Sequence, residues 1–218
     1  VPMTVTITAT PTSPQRVNTA LSFGATVTGG TAPQSCKWLV STDGWTTYTT
    51  LRDWAVCTTP ASWTPTAPWS YQVGVWVRSS GSTTDYPETA AAMIYDVVPD
   101  VRGTYNGSGS ATQSGCTDPI DNGVYPFWGN FNIPTQTRQT FSGTGTFDTG
   151  EDVVTAALSG TVTGTGQLSG ALTIAGGMGG TVGLTGTQSG TTPSVAFNGQ
   201  VREGSNTCNV SGSFTGTR

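Results

Sequence analysis

Ser70-Tyr71-Gln72-Val73-Gly74-Val75-Trp76-Val77-Arg78, followed by the polar Ser79-Ser80-Gly81-Ser82, alternates with a period of two. Tyr71, Val73, Val75 and Val77 share one side, and Gln72, Gly74, Trp76 and Arg78 the other. That is the pattern of a half-buried β-strand ended by a polar turn. The preceding Trp63-Thr64-Pro65-Thr66-Ala67-Pro68 is too rich in proline for a helix or a central strand, so it turns the chain into this segment. The stretch is expected to be the central strand of a β-sandwich around which the N-terminal half is arranged.

Working outward, residues 4–10 alternate Val5, Ile7 and Ala9 against threonines, and Pro11 to Pro14 break that strand. Leu21, Phe23, Ala25 and Val27 mark a second strand, stopped by Gly29-Gly30. Cys36, Trp38 and Val40 mark a third, ended by the hairpin signal Thr42-Asp43-Gly44. Weaker strands are expected near residues 46–51 and 54–57, and a last one through Met93, Tyr95 and Val97. About seven short strands at regular spacing predict a Greek-key sandwich.

Residues 1–98 resemble an Ig-like domain. Trp38 stands where such domains place a core tryptophan on the third strand, and Tyr71-Gln72-Val73 is similar to the tyrosine-corner pattern. Residues 62–84 are closer still to the Ig-like, PKD-like and fibronectin-III-like modules of secreted bacterial proteins. The resemblance implies a spacer, adhesin or stalk. It departs from the pattern in one respect: a Cys36–Cys57 bridge is not the usual link between the two sheets.

Val98-Pro99-Asp100-Val101 reads as a linker, with residues 99–101 separating the first domain from a second over 102–218. In the second, Tyr105, Gly107 and Gly109 share a face. So do Tyr125, Phe127, Gly129, Phe131 and Ile133, and then Phe141, Gly143, Gly145 and Phe147. Five further sets run to Val210, Gly212, Phe214 and Gly216, with Ser or Thr on the opposite face nearly throughout. Glycine weakens an amphipathic strand unless the sheet curves sharply or another backbone approaches closely. The expectation is therefore an eight-stranded antiparallel meander closed into a barrel, with a flattened sandwich as the alternative. The Gly-Thr-Tyr-Asn-Gly opening and glycine-rich strands are generically similar to small calycin-like barrels. Phe127, Phe141, Phe147, Phe197 and Phe214 are expected to fill the interior as a solid core; spare volume there would instead make it a binding cavity.

Only 9% of the 218 residues are charged while 34% are hydrophobic, against about 25% charge in an ordinary globular protein. The net charge of -4, the single lysine Lys37 and the scattered arginines leave no basic patch for nucleic acid or an anionic membrane. No apolar run of about 18 residues is present to cross a bilayer. No signal-peptide pattern opens the sequence, and Val1-Pro2 is expected to begin a mature or excised segment. Cys36, Cys57, Cys116 and Cys208 contain no Cys-x-x-Cys, and histidine is absent. Two disulfides within the halves, Cys36–Cys57 and Cys116–Cys208, are expected, and with them an extracellular or cell-surface location.

Without histidine, Ser-His-Asp and Cys-His chemistry cannot operate. Paired carboxylates remain, Asp118 with Asp121 and Asp148 with Glu151 and Asp152, both at turns where aspartate ordinarily caps a loop. The second group is the candidate for calcium, which takes oxygen ligands, although its spacing matches no defined calcium motif. No other cofactor is expected. Trp45, Trp54, Trp69 and Trp76 lie in or beside turns or point away from the Val73–Val77 face, and exposed rings of this kind stack on sugars or on a neighbouring domain. The expected function is a non-catalytic structural or adhesive module of a bacterial surface protein or extracellular filament. Its partners would be other surface domains or copies of itself. The alternatives are a glycan-binding protein using those tryptophans and a barrel that holds a small ligand.

Overall fold

The computed structural model describes residues 2–218, so Val1 of the Val1-Pro2 start lies outside the described residues. Sixteen strands and one short 3-10 turn make up their regular structure, with no α-helix among the described residues. The chain is all-β, and it divides into two compact units, one ending at Val98 and one spanning Pro99–Arg218.

The first unit contains β1 (Thr4–Thr10), β2 (Gln15–Arg16), β3 (Leu21–Thr28), β4 (Ser35–Ser41), β5 (Thr49–Val56), β6 (Ala61–Trp63), β7 (Trp69–Arg78) and β8 (Thr89–Val98). They form a three-stranded sheet, β1-β3-β6, and a five-stranded sheet, β2-β8-β7-β4-β5, with β7 in the middle. Leu21 and Phe23 of the first sheet and Trp38, Val73, Val75, Val77, Tyr95 and Val97 of the second share one core. Phe23 meets Tyr95 edge-on at 5.6 Å and Trp38 at 6.0 Å. Such ring pairs add to the area that they bury. Where β7 begins, the Tyr71 hydroxyl donates to the Ala67 carbonyl at 2.9 Å, the bond that the tyrosine-corner pattern implies.

Two local features differ from the expected strands. The two weak strands near residues 46–51 and 54–57 are a single β5 that starts only at Thr49. Residues 42–48 form a loop instead, because the Asp43 carboxylate accepts from both the backbone N–H and the hydroxyl of Thr47. The second difference is β2, which lies between the prolines and Val17 and pairs parallel with β8. Two residues are too few to display a period.

The second unit contains β9 (Gly103–Ser114), β10 (Gly123–Thr137), β11 (Thr140–Asp148), β12 (Val153–Val162), β13 (Gln167–Ala175), β14 (Met178–Ser189), β15 (Thr192–Glu203) and β16 (Asn206–Thr217). Each pairs antiparallel with the next, and β16 pairs back onto β9, so the sheet is a closed barrel. Closure brings the Cys116 loop to the start of β16, and the Cys116–Cys208 bridge forms there; Cys36–Cys57 forms in the first unit.

Every phenylalanine of the barrel faces a glycine across the sheet. Phe127 and Phe214 both stand opposite Gly109, Phe131 and Phe147 opposite Gly145 and Gly129, Phe141 opposite Gly160, and Phe197 opposite Gly212. The rings cover those glycines. A Cβ on Gly212 would lie 2.5 Å from the tip of Phe197 and collide with the Ser110 carbonyl oxygen, so the close approach of strands requires glycine there.

Candidate functional site: a cup at one end of the barrel

The two ends of the barrel differ. One is sealed. Tyr105, Ile133, Phe141, Leu158, Val162, Leu184 and Val195 are buried there and leave a void of only about 40 Å³. The polar groups that close this end are satisfied. Buried Gln136 accepts from the Val101 N–H and donates to the Pro99 and Arg138 carbonyls, each at 2.9 Å. The Tyr105 hydroxyl donates to the Val101 carbonyl at 2.9 Å, and burial pushes its phenol pKa up.

The other end opens among the chain reversals at residues 115–122, 149–152, 176–177 and 204–205. Behind them lies a cavity of about 360 Å³, within the range of small-molecule sites, roughly 300–1,000 Å³. Phe127, Phe147, Phe197, Leu172, Val182 and Val201 form much of its wall. The expectation of a solid core is therefore wrong at this end. A ring that covers a glycine on the next strand lies along the wall instead of across the axis, and near the mouth no second layer fills the axis.

The rim joins Asp121, Glu151 and Asp152, which the sequence places at separate turns, to residues that its pattern did not single out. Asp121, Glu151, Asp152 and Glu203 all line the cavity, together with Gln113 and Asn206. The 3-10 turn Pro119–Asp121 is held at the mouth by three bonds. Tyr125 donates its hydroxyl to the Asp121 carbonyl at 3.1 Å, Asn206 donates to the Asp121 carboxylate, and the Asp118 N–H donates to the Asn206 side chain at 2.9 Å. Asp118 also caps this turn, and Asp148 accepts from the Gly150 N–H at 2.8 Å. Those two acids serve as loop caps, the ordinary use. Among the described residues no group of three acids, cysteines or histidines is placed to hold a metal ion.

The chain matches no family model, no curated protein and no solved structure. Any reading of the cup therefore rests on its own geometry.

The four tryptophans proposed for glycan binding lie in the first unit, and three of them have a neighbour packed against the ring. Trp45 sits against Gly74, where a Cβ would come within 2.5 Å of its ring. Trp54 carries the Arg78 guanidinium 4.1 Å above its ring and donates its indole N–H to Asp85. Trp76 packs between Tyr48 at 5.5 Å and Tyr86 at 6.4 Å, with the Lys37 ammonium 5.9 Å away. Trp69, 44% exposed, donates to the Thr42 carbonyl. Lys37 bonds Asp85 at 2.8 Å, and this bond, with that from Trp54, holds the Asp85 carboxyl below the usual aspartate range. The same contact holds the lysine above its ordinary value. The cluster braces the outer face of the five-stranded sheet.

The sequence offered a barrel that holds a small ligand as an alternative, but it did not place the acids in one cup. Asp118, Asp121, Asp148, Glu151 and Asp152 were visible as acids at turns, but only closure of the sheet brings those turns to one mouth.

Proposed function

We propose that this chain is a non-catalytic, extracytoplasmic binding protein whose barrel holds a small ligand with an apolar body. The observation that carries the reading is the cavity of about 360 Å³, walled by phenylalanine and aliphatic side chains and open at one end only. Pockets that bind small molecules combine such walls with a few polar groups at one side. The absence of histidine supports a role without general acid–base chemistry of the usual kind. Two disulfides suggest an oxidising environment, in keeping with a secreted or surface location. The first unit fits a carrier module: its two-sheet topology and the Tyr71–Ala67 bond support the Ig-like reading, and its filled core leaves it a structural part.

The test uses a neutral fluorescent apolar probe, N-phenyl-1-naphthylamine, titrated with the full chain. Saturable one-site binding is expected, and Ala111→Trp, which fills the cup from its wall, should abolish it. Thr112→Trp, one residue along and facing out, should bind as the parent does. No saturable binding by the parent, or equal binding by both variants, would refute the reading.

A further inference from the structure

We infer that the cup selects a cationic amphiphile, a compact apolar body carrying an ammonium or guanidinium head. The inference rests on the cup being a ligand site and assigns its chemical class. The charged side chains that line the cavity are Asp121, Glu151, Asp152 and Glu203; no lysine or arginine lines it. They come from separate parts of the rim, the 115–122 and 149–152 reversals and the end of β15, so they surround the opening. Among the described residues, the carboxylates of Glu151, Asp152 and Glu203 make no hydrogen bond or ion pair, whereas Asp121 accepts from Asn206.

None of the barrel's arginines lines the cavity. Arg218 donates to the Asp100 and Arg102 carbonyls at the sealed end, and Arg102 pairs with Asp100. Arg138 sits in the reversal between β10 and β11 at that same end. Arg202 alternates outward beside Glu203 and donates to the Gly204 carbonyl. A concave, low-dielectric opening lined by charge of one sign focuses its field and concentrates the opposite charge. A cation whose body occupies the apolar floor carries its head to these carboxylates. Phe147 and Tyr125 also line the cavity, and a cation over an aromatic face gains a further attraction. An anion of the same shape meets repulsion with no lysine or arginine in the lining to offset it, and a neutral molecule gains chiefly the burial of its body.

The experiment compares three probes with one body, 1-naphthylmethylammonium, 1-naphthalenemethanol and 1-naphthoate, by calorimetry on the full chain at low salt. The cation is expected to bind at least tenfold more tightly than the alcohol, and the carboxylate most weakly. In the triple variant Glu151→Gln/Asp152→Asn/Glu203→Gln the cation should lose its advantage, so that cation and alcohol bind within about twofold of each other. Those carboxylates have no partners in the fold, so the variant's melting curve should match the parent's. Equal binding of cation and alcohol by the parent, or tightest binding of the carboxylate, overturns the cationic assignment while leaving the cup intact. Binding of none of the three overturns the cationic assignment, and the N-phenyl-1-naphthylamine titration decides whether the cup reading falls with it.

Discussion

In the sandwich, Phe23, Trp38 and Tyr95 are fully buried and meet across the two sheets, whereas in the barrel Phe147 and Phe197 are half-buried on the wall of an open cup. Both units are built from strands that alternate apolar and polar residues. They differ in what shares the apolar face. In the sandwich it is tryptophan, tyrosine and valine, which reach across the gap between the sheets. In the barrel it is glycine, which lets the sheet close tightly and draws each phenylalanine onto a neighbouring strand. The charges follow the same division. Lys37 and Arg78 of the sandwich are engaged with Asp85 and Trp54, whereas three carboxylates at the barrel mouth have no partner among the described residues. The lesson is that hydrophobic alternation specifies a core face without specifying a full core.

The largest expected effect separates the two disulfides. Cys116–Cys208 spans 92 residues and Cys36–Cys57 spans 21, so chain entropy assigns them about 4.5 and about 3 kcal/mol. Replacing each pair by alanine and following denaturation of the unit that carries it should therefore cost the barrel more. Equal losses would show that constraint of the unfolded chain does not govern the difference.

Next come the glycines that line the barrel. Gly212→Val should cost about 1–3 kcal/mol, near the top of that range because backbone is in the way. Gly145→Val should cost less, since the atoms nearest its Cβ belong to the Phe147 and Phe131 rings. Thr144→Val and Ser213→Val face outward and should stay within about 0.5 kcal/mol. Thermal melts of the four variants decide it: inward and outward substitutions of equal stability would remove the account of why the rings line the wall.

The smallest effect concerns a device that both units use. Tyr71, Tyr105 and Tyr125 each donate a hydroxyl hydrogen bond to the carbonyl four residues earlier, at 2.9, 2.9 and 3.1 Å. Tyrosine-to-phenylalanine substitution should cost about 1 kcal/mol where the carbonyl is left buried. Tyr105→Phe, at the sealed end, should cost most and Tyr125→Phe, at the mouth, least. A shift in the denaturant midpoint for Tyr125→Phe as large as for Tyr105→Phe would mean that the mouth is as closed to water as the sealed end.

The amino-acid sequence by itself determined most of the strands and their buried faces, and it favoured closure of the second sheet over a flattened sandwich. These are local or nearly local properties. A period of two assigns side chains to faces, proline and glycine mark the turns, and Cys116 can reach Cys208 only if the last strand returns to the first. The pinning bond of Tyr71 was legible for the same reason, since its partner lies four residues away. Tertiary structure alone decided what the interior holds. Whether Phe197 crosses the axis or lies over Gly212 depends on which residue stands opposite it, and that is set by register between strands. The gathering of Asp121, Glu151, Asp152 and Glu203 at one mouth depends likewise on each strand reversing the chain, so that every second turn returns to the same end. The contacts on Trp54 and Trp76 have the same origin, because Arg78, Asp85 and Tyr48 reach those rings only after β5, β4 and β7 align. Pattern along a chain assigns each residue a side, and only packing in three dimensions assigns it a neighbour.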